Sequence, residues 1–316
     1  MRSRCSAPLP KSRALLLLGL SVGCSARPSG ASRDASVTPN RGLDGDGVAQ
    51  LFASAPGASF RLGHSDLNHT PGVEIERHTR ASLEREGELG YWSIAAHELE
   101  YSSGGRGKTI RVHMHASGGE QHFTWRTQQG FLGNPRDLKN QEFTAYLRVH
   151  GIFDPSRAAV SLKIRGGAHS TRDGDLASCT MLTFAPASAR AVTRFGKELH
   201  HPDYDYVPLE PRFPGALEEG RWVGLKLVSY AVPGSPASVV NQLYVDPTPF
   251  DAHGGPRNEW RLFSEYLDVA EKSTGRYATL VDWGGYQTTL RTDGLTQLDL
   301  AILSVREIAP PQGSHN

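Results

Sequence analysis

The segment Arg194-Phe195-Gly196-Lys197-Glu198-Leu199-His200-His201-Pro202-Asp203-Tyr204-Asp205-Tyr206 crowds a lysine, a carboxylate, two imidazoles and two phenols into one short run. A packed core does not ask for that mix, because Lys, Glu and His are costly to bury unpaired. A site that grips a charged polymer, or moves a proton on it, does. Within the run Lys197 and Glu198 are candidates for binding, His201 for a general base and Tyr204 for a general acid. A second run, Lys163-Ile164-Arg165-Gly166-Gly167-Ala168-His169, places Lys163 and Arg165 at alternating positions, with His169 just past the glycine pair.

Two more stretches offer polar side chains at strand spacing. Trp222 and Lys226 share parity, so an indole could lie beside a cation. After Trp283-Gly284-Gly285, the residues Gln287, Thr289, Arg291 and Asp293 fall on one face of a strand. Arginine's planar fork suits a carboxylate better than an ammonium does, so Arg291 is a candidate for holding an acidic sugar. Adjacent histidines of a strand point to opposite faces, so His200 and His201 do not share an ion. His113 and His115 could, but no third ligand accompanies them, and no metal site or cofactor is expected. The chain has no nucleophile elbow, zinc-protease helix motif, phosphate loop or dinucleotide fingerprint.

The elements that must position these residues read as strands. Tyr91–Ala95, Thr109–His115, Glu142–Val149, Ala159–Arg165, Trp222–Tyr230, Val240–Asp246 and Leu298–Val305 all alternate apolar and polar residues. Thirty-four glycines and 20 prolines supply turns between them. Only Ser65–Glu86 could hold a helix, and Pro71-Gly72 interrupts it. The expectation is an all-β, two-sheet antiparallel jelly-roll sandwich spanning residues 60–311.

The amino terminus carries Arg2, Arg4, Lys11 and Arg13, then an apolar run from Ala14 to Gly23 that is too short to span a bilayer. Leu20-Ser21-Val22-Gly23-Cys24 resembles a bacterial lipobox, which implies cleavage before Cys24 and its lipidation. Residues 1–24 are therefore expected to be a lipoprotein signal peptide, and the protein an exported lipoprotein of a diderm outer membrane; plain secretion is the alternative. Residues 25–59, rich in Ser, Ala, Gly, Pro and Arg, read as a flexible linker. Cys179 stands alone in the folded part and reads as a small buried apolar residue. With 34 basic and 33 acidic residues the chain lacks the charge footprint of a nucleic-acid binder. A monomer is expected.

From Asn134 to Pro311, the runs Arg136–Thr144, Arg165–His169, Lys197-Glu198 with His201 and Tyr204, Trp283-Gly284-Gly285 and Ser304–Ile308 resemble uncharacterised secreted concanavalin A-like sandwiches. More loosely, they resemble alginate-lyase-type jelly rolls, although the strand motifs of those lyases are absent. The resemblance implies a β-sandwich with a carbohydrate groove on one sheet. Two functions follow as expectations: a polysaccharide lyase acting by β-elimination on a uronate-containing glycan, or a non-catalytic glycan-binding, surface-adhesion module. For the lyase, Arg165 would neutralise the uronate carboxylate, His169 or His201 would take the proton, and Tyr204 would protonate the leaving oxygen. A neighbouring cation such as Lys197 would lower the phenol's pKa. Lys163, Lys197, Glu198, Trp222, Lys226, Trp283, Gln287 and Arg291 would line the binding surface.

Overall fold

The structure, a computed structural model, describes residues 42–64, 72–76, 79–100, 106–115, 125–167, 179–200, 203–213, 217–232, 237–269 and 279–311. Its strands in chain order are β1 (Ser54–Arg61), β2 (Val73–Ile75), β3 (Arg80–Glu86), β4 (Leu89–Ala95), β5 (His97–Glu100), β6 (Arg106–His115), β7 (Gln141–Ile152) and β8 (Ala159–Gly166). They continue as β9 (Cys179–Phe184), β10 (Arg194–His200), β11 (Asp203–Pro208), β12 (Val223–Val232), β13 (Ser238–Asp246), β14 (Arg261–Val269), β15 (Gln287–Asp293) and β16 (Leu295–Ile308).

Each predicted strand run falls on one of these. The first sheet runs β14-β13-β12-β7-β16-β4-β3, with β1 also on β16; the second runs β11-β10-β9-β8-β15-β6-β2, with β5 also on β6. All strand pairs are antiparallel. Between the sheets Ile110, Val112, Leu162, Ile164, Leu182 and Leu290 of the second meet Phe143, Ala145, Leu225, Leu227, Leu298 and Leu300 of the first in one buried cluster. The period of two that turns these residues inward turns the intervening polar ones outward. This is the two-sheet antiparallel sandwich that the alternation predicts, of the jelly-roll, concanavalin A-like type that the resemblance implies.

Two expectations about local structure need correction. Among the described residues of 65–86 there is no helix, since Val73–Ile75 and Arg80–Glu86 are strands. Arg80-Ala81-Ser82-Leu83-Glu84-Arg85-Glu86 has good helix formers, but pairing with β4, Leu83 opposite Trp92, overrides that weak preference. Its exposed charges suit an edge strand, which they protect from pairing with another chain.

The second correction concerns the linker. Of residues 25–59, those from 42 onward are part of the fold. Asp44 Oδ1 accepts from the backbone N–H of Asp46 and Val48 at 2.8 and 2.9 Å, so Asp44-Gly45-Asp46-Gly47 forms a side-chain-capped turn. Val48 and Leu51 then pack with Tyr146, Tyr230, Tyr244 and Trp260 in a second apolar cluster. β1 follows and pairs with β16. The composition that suggested a tether is that of a short packed strap. The signal segment, Cys24 and the linker up to residue 41 lie outside the described residues.

Candidate functional site

Antiparallel register fixes which side chains share the outward face of the second sheet. Thr289 pairs with both His113 and Lys163, and Lys163 with Met181. Met181 pairs with Gly196, and Gly196 with Tyr206. One row therefore runs from β6 to β11 across the sheet. The neighbouring row is Arg111, Arg291, Ser161, Thr183 and Arg194. Beyond the first row on its other side, Cys179, Glu198 and Tyr204 pair across β9, β10 and β11.

The Tyr204 hydroxyl joins these rows. It accepts from Lys163 Nζ at 3.4 Å and from Arg291 Nη1 at 3.2 Å. Lys163 in turn donates to Glu198 Oε2 at 2.8 Å, and the Cys179 thiol donates to the same oxygen at 3.3 Å. Arg291 Nη2 reaches Asp293 Oδ1 at 2.8 Å. The Tyr204 and Tyr206 rings stack within 2° of parallel at 5.6 Å, and the Arg194 guanidinium lies 3.6 Å from the centre of the Tyr206 ring. Gly196 makes this possible, since a Cβ there would meet the Tyr206 ring at 2.8 Å.

Above these residues is a groove of about 270 Å³, lined by Ser161, Thr183, Arg194, Tyr204, Tyr206 and Arg291, among others. Among the described residues its lining carries three guanidinium groups, Arg157, Arg194 and Arg291, and one carboxylate, that of Asp293. In a chain of net charge +1 this concentrates positive potential at one place.

Burial and charge set the protonation states. Burial works against the Lys163 ammonium, but the negative charge potential around it, with the Glu198 carboxylate at 2.8 Å, outweighs burial and raises its pKa above the ordinary range. Burial pushes the Tyr204 phenol up, and Lys163 and Arg291 offset only part of that rise. Burial pushes Tyr206 up to about 12, against the pull of Arg194. It likewise pushes the Cys179 thiol up to about 12, despite the opposing pull of Lys163. The phenol is thus an acid at neutral pH, and Cys179, buried as expected, is no nucleophile.

Several expected site residues stand elsewhere. Arg165 does not share a face with Lys163. At φ 53° it twists out of the strand alternation and is fully buried, donating to Ser229 Oγ of β12 at 3.3 Å and to the Trp283 carbonyl at 3.0 Å. Burial pulls its pKa down to about 10, and it cannot meet a substrate carboxylate on the outward face. Lys197 points the opposite way from Glu198 and pairs with Asp268 at 2.7 Å, so the cations beside Tyr204 are Lys163 and Arg291 instead.

Lys226 lies on β12 of the first sheet, and Trp222 immediately precedes that strand. The Trp222 ring packs edge-on to Tyr91, under the Arg148 guanidinium at 4.6 Å. Lys226 is 1% exposed and bound to Glu142 at 2.5 Å. Trp283 is buried and stacked on Phe131. Gln287 lies on the expected face but is held by His113 at 2.7 Å and Thr289 at 2.8 Å. His169 and His201 lie outside the described residues. Among the described residues no group of three or more His, Cys, Asp or Glu side chains is arranged to hold a metal ion.

The structure therefore brings together Lys163, Glu198, Tyr204 and Arg291 from the expected set and adds Arg194, Tyr206, Arg157 and Asp293. Parity gave a signal for three of these: Arg194 shares it with Glu198 on β10, Tyr206 with Tyr204 on β11, and Asp293 with Arg291 on β15.

No family model matches the chain, and no curated protein matches it. Solved structures similar to it include an endo-β-1,4-glucuronan lyase from the fungus Trichoderma reesei, at 12% identity over 76% of this chain and 92% of that one, TM-score 0.40. Alginate lyase vAL-1 from Chlorella virus is similar at 7% identity over 78% and 98%, TM-score 0.42. So is the exoplasmic/lumenal domain of VIP36 in its Ca²⁺/Man3GlcNAc-bound form, at 10% over 83% and 92%, TM-score 0.37. At such identity the likeness concerns the path of the chain and not the residues of a site.

Proposed function

We propose that this protein is an extracytoplasmic carbohydrate-active protein, a polysaccharide lyase that cleaves a uronate-containing glycan by β-elimination. The observation that carries this is the Tyr204 phenol, held by Lys163 and Arg291 at the edge of a groove whose described lining carries three guanidinium groups and one carboxylate. Breaking the bond to the leaving oxygen of a uronate needs three things: charge neutralisation at the carboxylate, a base for the α-proton, and an acid for that oxygen. Arg291 and Arg194 supply the first. Tyr204, protonated at neutral pH, supplies the third, and its two cations stabilise the phenolate left behind. The base falls to His169 or His201, which follow β8 and β10 in sequence.

Tyr204→Phe tests this reading. Formation of the unsaturated, ultraviolet-absorbing uronate should fall by about 10²–10⁴-fold with polymer binding retained. Full turnover in the variant removes Tyr204 from the mechanism. Tyr204 and Tyr206 stacked in parallel also support the alternative of a glycan-binding module. In that case wild-type protein is retarded in polysaccharide gels and makes no such product.

The proposal includes an exported lipoprotein anchored through Cys24, in keeping with a polymeric substrate outside the cell. Cys24→Ala should move the protein from the membrane fraction to the soluble one; an unchanged membrane fraction refutes the anchor.

A further inference from the structure

A cleft separate from the groove lies between residues 125–139 and 279–283. It encloses about 720 Å³ and, among the described residues, shares no lining residue with the groove. One wall is a tight hairpin. Arg126 bridges Leu132, Thr127 N–H donates to the Phe131 carbonyl at 2.9 Å, and Gly130 N–H donates to the Thr127 carbonyl at 3.0 Å. Phe131 N–H also donates to Thr127 Oγ1 at 3.1 Å.

Two buried cations fix the other wall through its backbone. Lys197 Nζ donates to the Thr279 carbonyl and Arg165 Nη1 to the Trp283 carbonyl, both at 3.0 Å. Asn134 and Gly284 exchange backbone hydrogen bonds at 3.0 and 2.8 Å and tie the walls together. The Phe131 and Trp283 rings, 6.0 Å apart and 11° from parallel, lie beneath. Over Gly133 the Trp283 and Trp125 indoles converge, and a Cβ at that position would collide with both. Trp125 is partly exposed at the cleft, while Gln128, Gln129 and Asp282 are exposed at its rim and Lys139 is partly so.

We propose that this cleft is a second saccharide site, holding a stretch of glycan other than the one in the groove. The indole of Trp125 offers an apolar face to the C–H side of a pyranose ring. Planar amides and a carboxylate at the rim suit the hydroxyls at its edge, and Lys139 suits a uronate carboxylate. The walls are held by main-chain bonds, so the site is formed before the ligand arrives. β10 serves both sites, since Glu198 supports the groove while Lys197 holds the cleft's wall. The inference rests on the glycan reading above, but not on catalysis.

The test measures retardation of the full chain in gels of polymannuronate, polygalacturonate and polyglucuronate, alongside product formation from a short oligouronate. Trp125→Ala should weaken retention at least tenfold and leave oligouronate turnover within twofold. Tyr204→Phe should do the reverse, and Trp125→Phe, which keeps an aromatic face, should retain most binding. Retention of Trp125→Ala equal to wild type overturns the cleft, as does wild type that no polymer retards. Retention that depends on Trp125, with no product from wild type, overturns the lyase reading alone and leaves the cleft standing.

Discussion

The two outer faces of the sandwich each carry a buried lysine bound to a buried glutamate, and they use the pair in opposite ways. On the first sheet Glu142 receives Lys226 at 2.5 Å, Arg306 at 2.6 Å and the backbone N–H groups of Leu51 and Phe52 at 3.1 and 3.3 Å. Lys226 also donates to the Ala49 carbonyl at 3.0 Å and lies 4.7 Å from the centre of the Trp260 ring. Charge and chain together seal that face under the 42–53 strap. On the second sheet no strap residue is among the described partners of the Lys163–Glu198 pair. It turns one proton of its ammonium to a phenol instead, beside an open groove. A buried ion pair is in itself weak evidence of stability or of function. What the remaining donors and acceptors meet decides which role it has.

The largest expected effect breaks the sealed face. Glu142→Ala leaves an ammonium of 1% exposure and two main-chain donors without their acceptor. It should cost about 3–5 kcal/mol in urea unfolding. A loss below about 1 kcal/mol would mean that the strap does not depend on this carboxylate.

Apolar replacement of each pair draws the contrast more finely. Lys163→Met with Glu198→Leu removes both charges together, so stability should stay within about 1–2 kcal/mol of wild type. Product formation should drop roughly a hundredfold, because Tyr204 loses one of its two cations. Lys226→Met with Glu142→Leu should remain strongly destabilised, because Arg306 and the strap's N–H groups still lose their acceptor. Equal stability losses in the two double variants would erase the distinction between the faces.

The fold was legible because a period of two survives in nearly every strand, and inward residues such as Ile110, Val112 and Leu162 carry it without exception. The site was legible where a strand stayed regular. Parity placed Gln287 and Arg291 on one face, and it separates Lys197 from Glu198 as neighbours in any strand must be. It failed at Arg165, where a positive φ and a register shift between Gln287 and Thr289 turn the side chain inward. It failed again for Lys226, whose alternation is sound but whose sheet is the other one. Which strands are neighbours is a long-range fact that local spacing does not contain. The strap was missed for a related reason: Val48, Leu51 and Phe52 are too few to show a period, and they bury only against a surface made by distant strands.

The smallest expected effect concerns a carboxyl held by neither lysine. Glu307 adjoins Arg306 on β16, accepts from the Leu138 N–H, and is pushed by burial up to about 7 from 4.5, even though backbone donors oppose the rise. A folded-state pKa above the unfolded one means that the folded protein binds this proton more tightly. The group's contribution to stability is then complete below about pH 4.5 and is lost as pH rises through about 7. The urea midpoint of wild type should therefore fall between about pH 5 and pH 8. Glu307→Gln keeps an acceptor for Leu138 without the ionisation, and it should flatten that slope while Lys163→Met with Glu198→Leu leaves it intact. A slope unchanged in Glu307→Gln would show that its carboxylate is already ionised against the backbone donors.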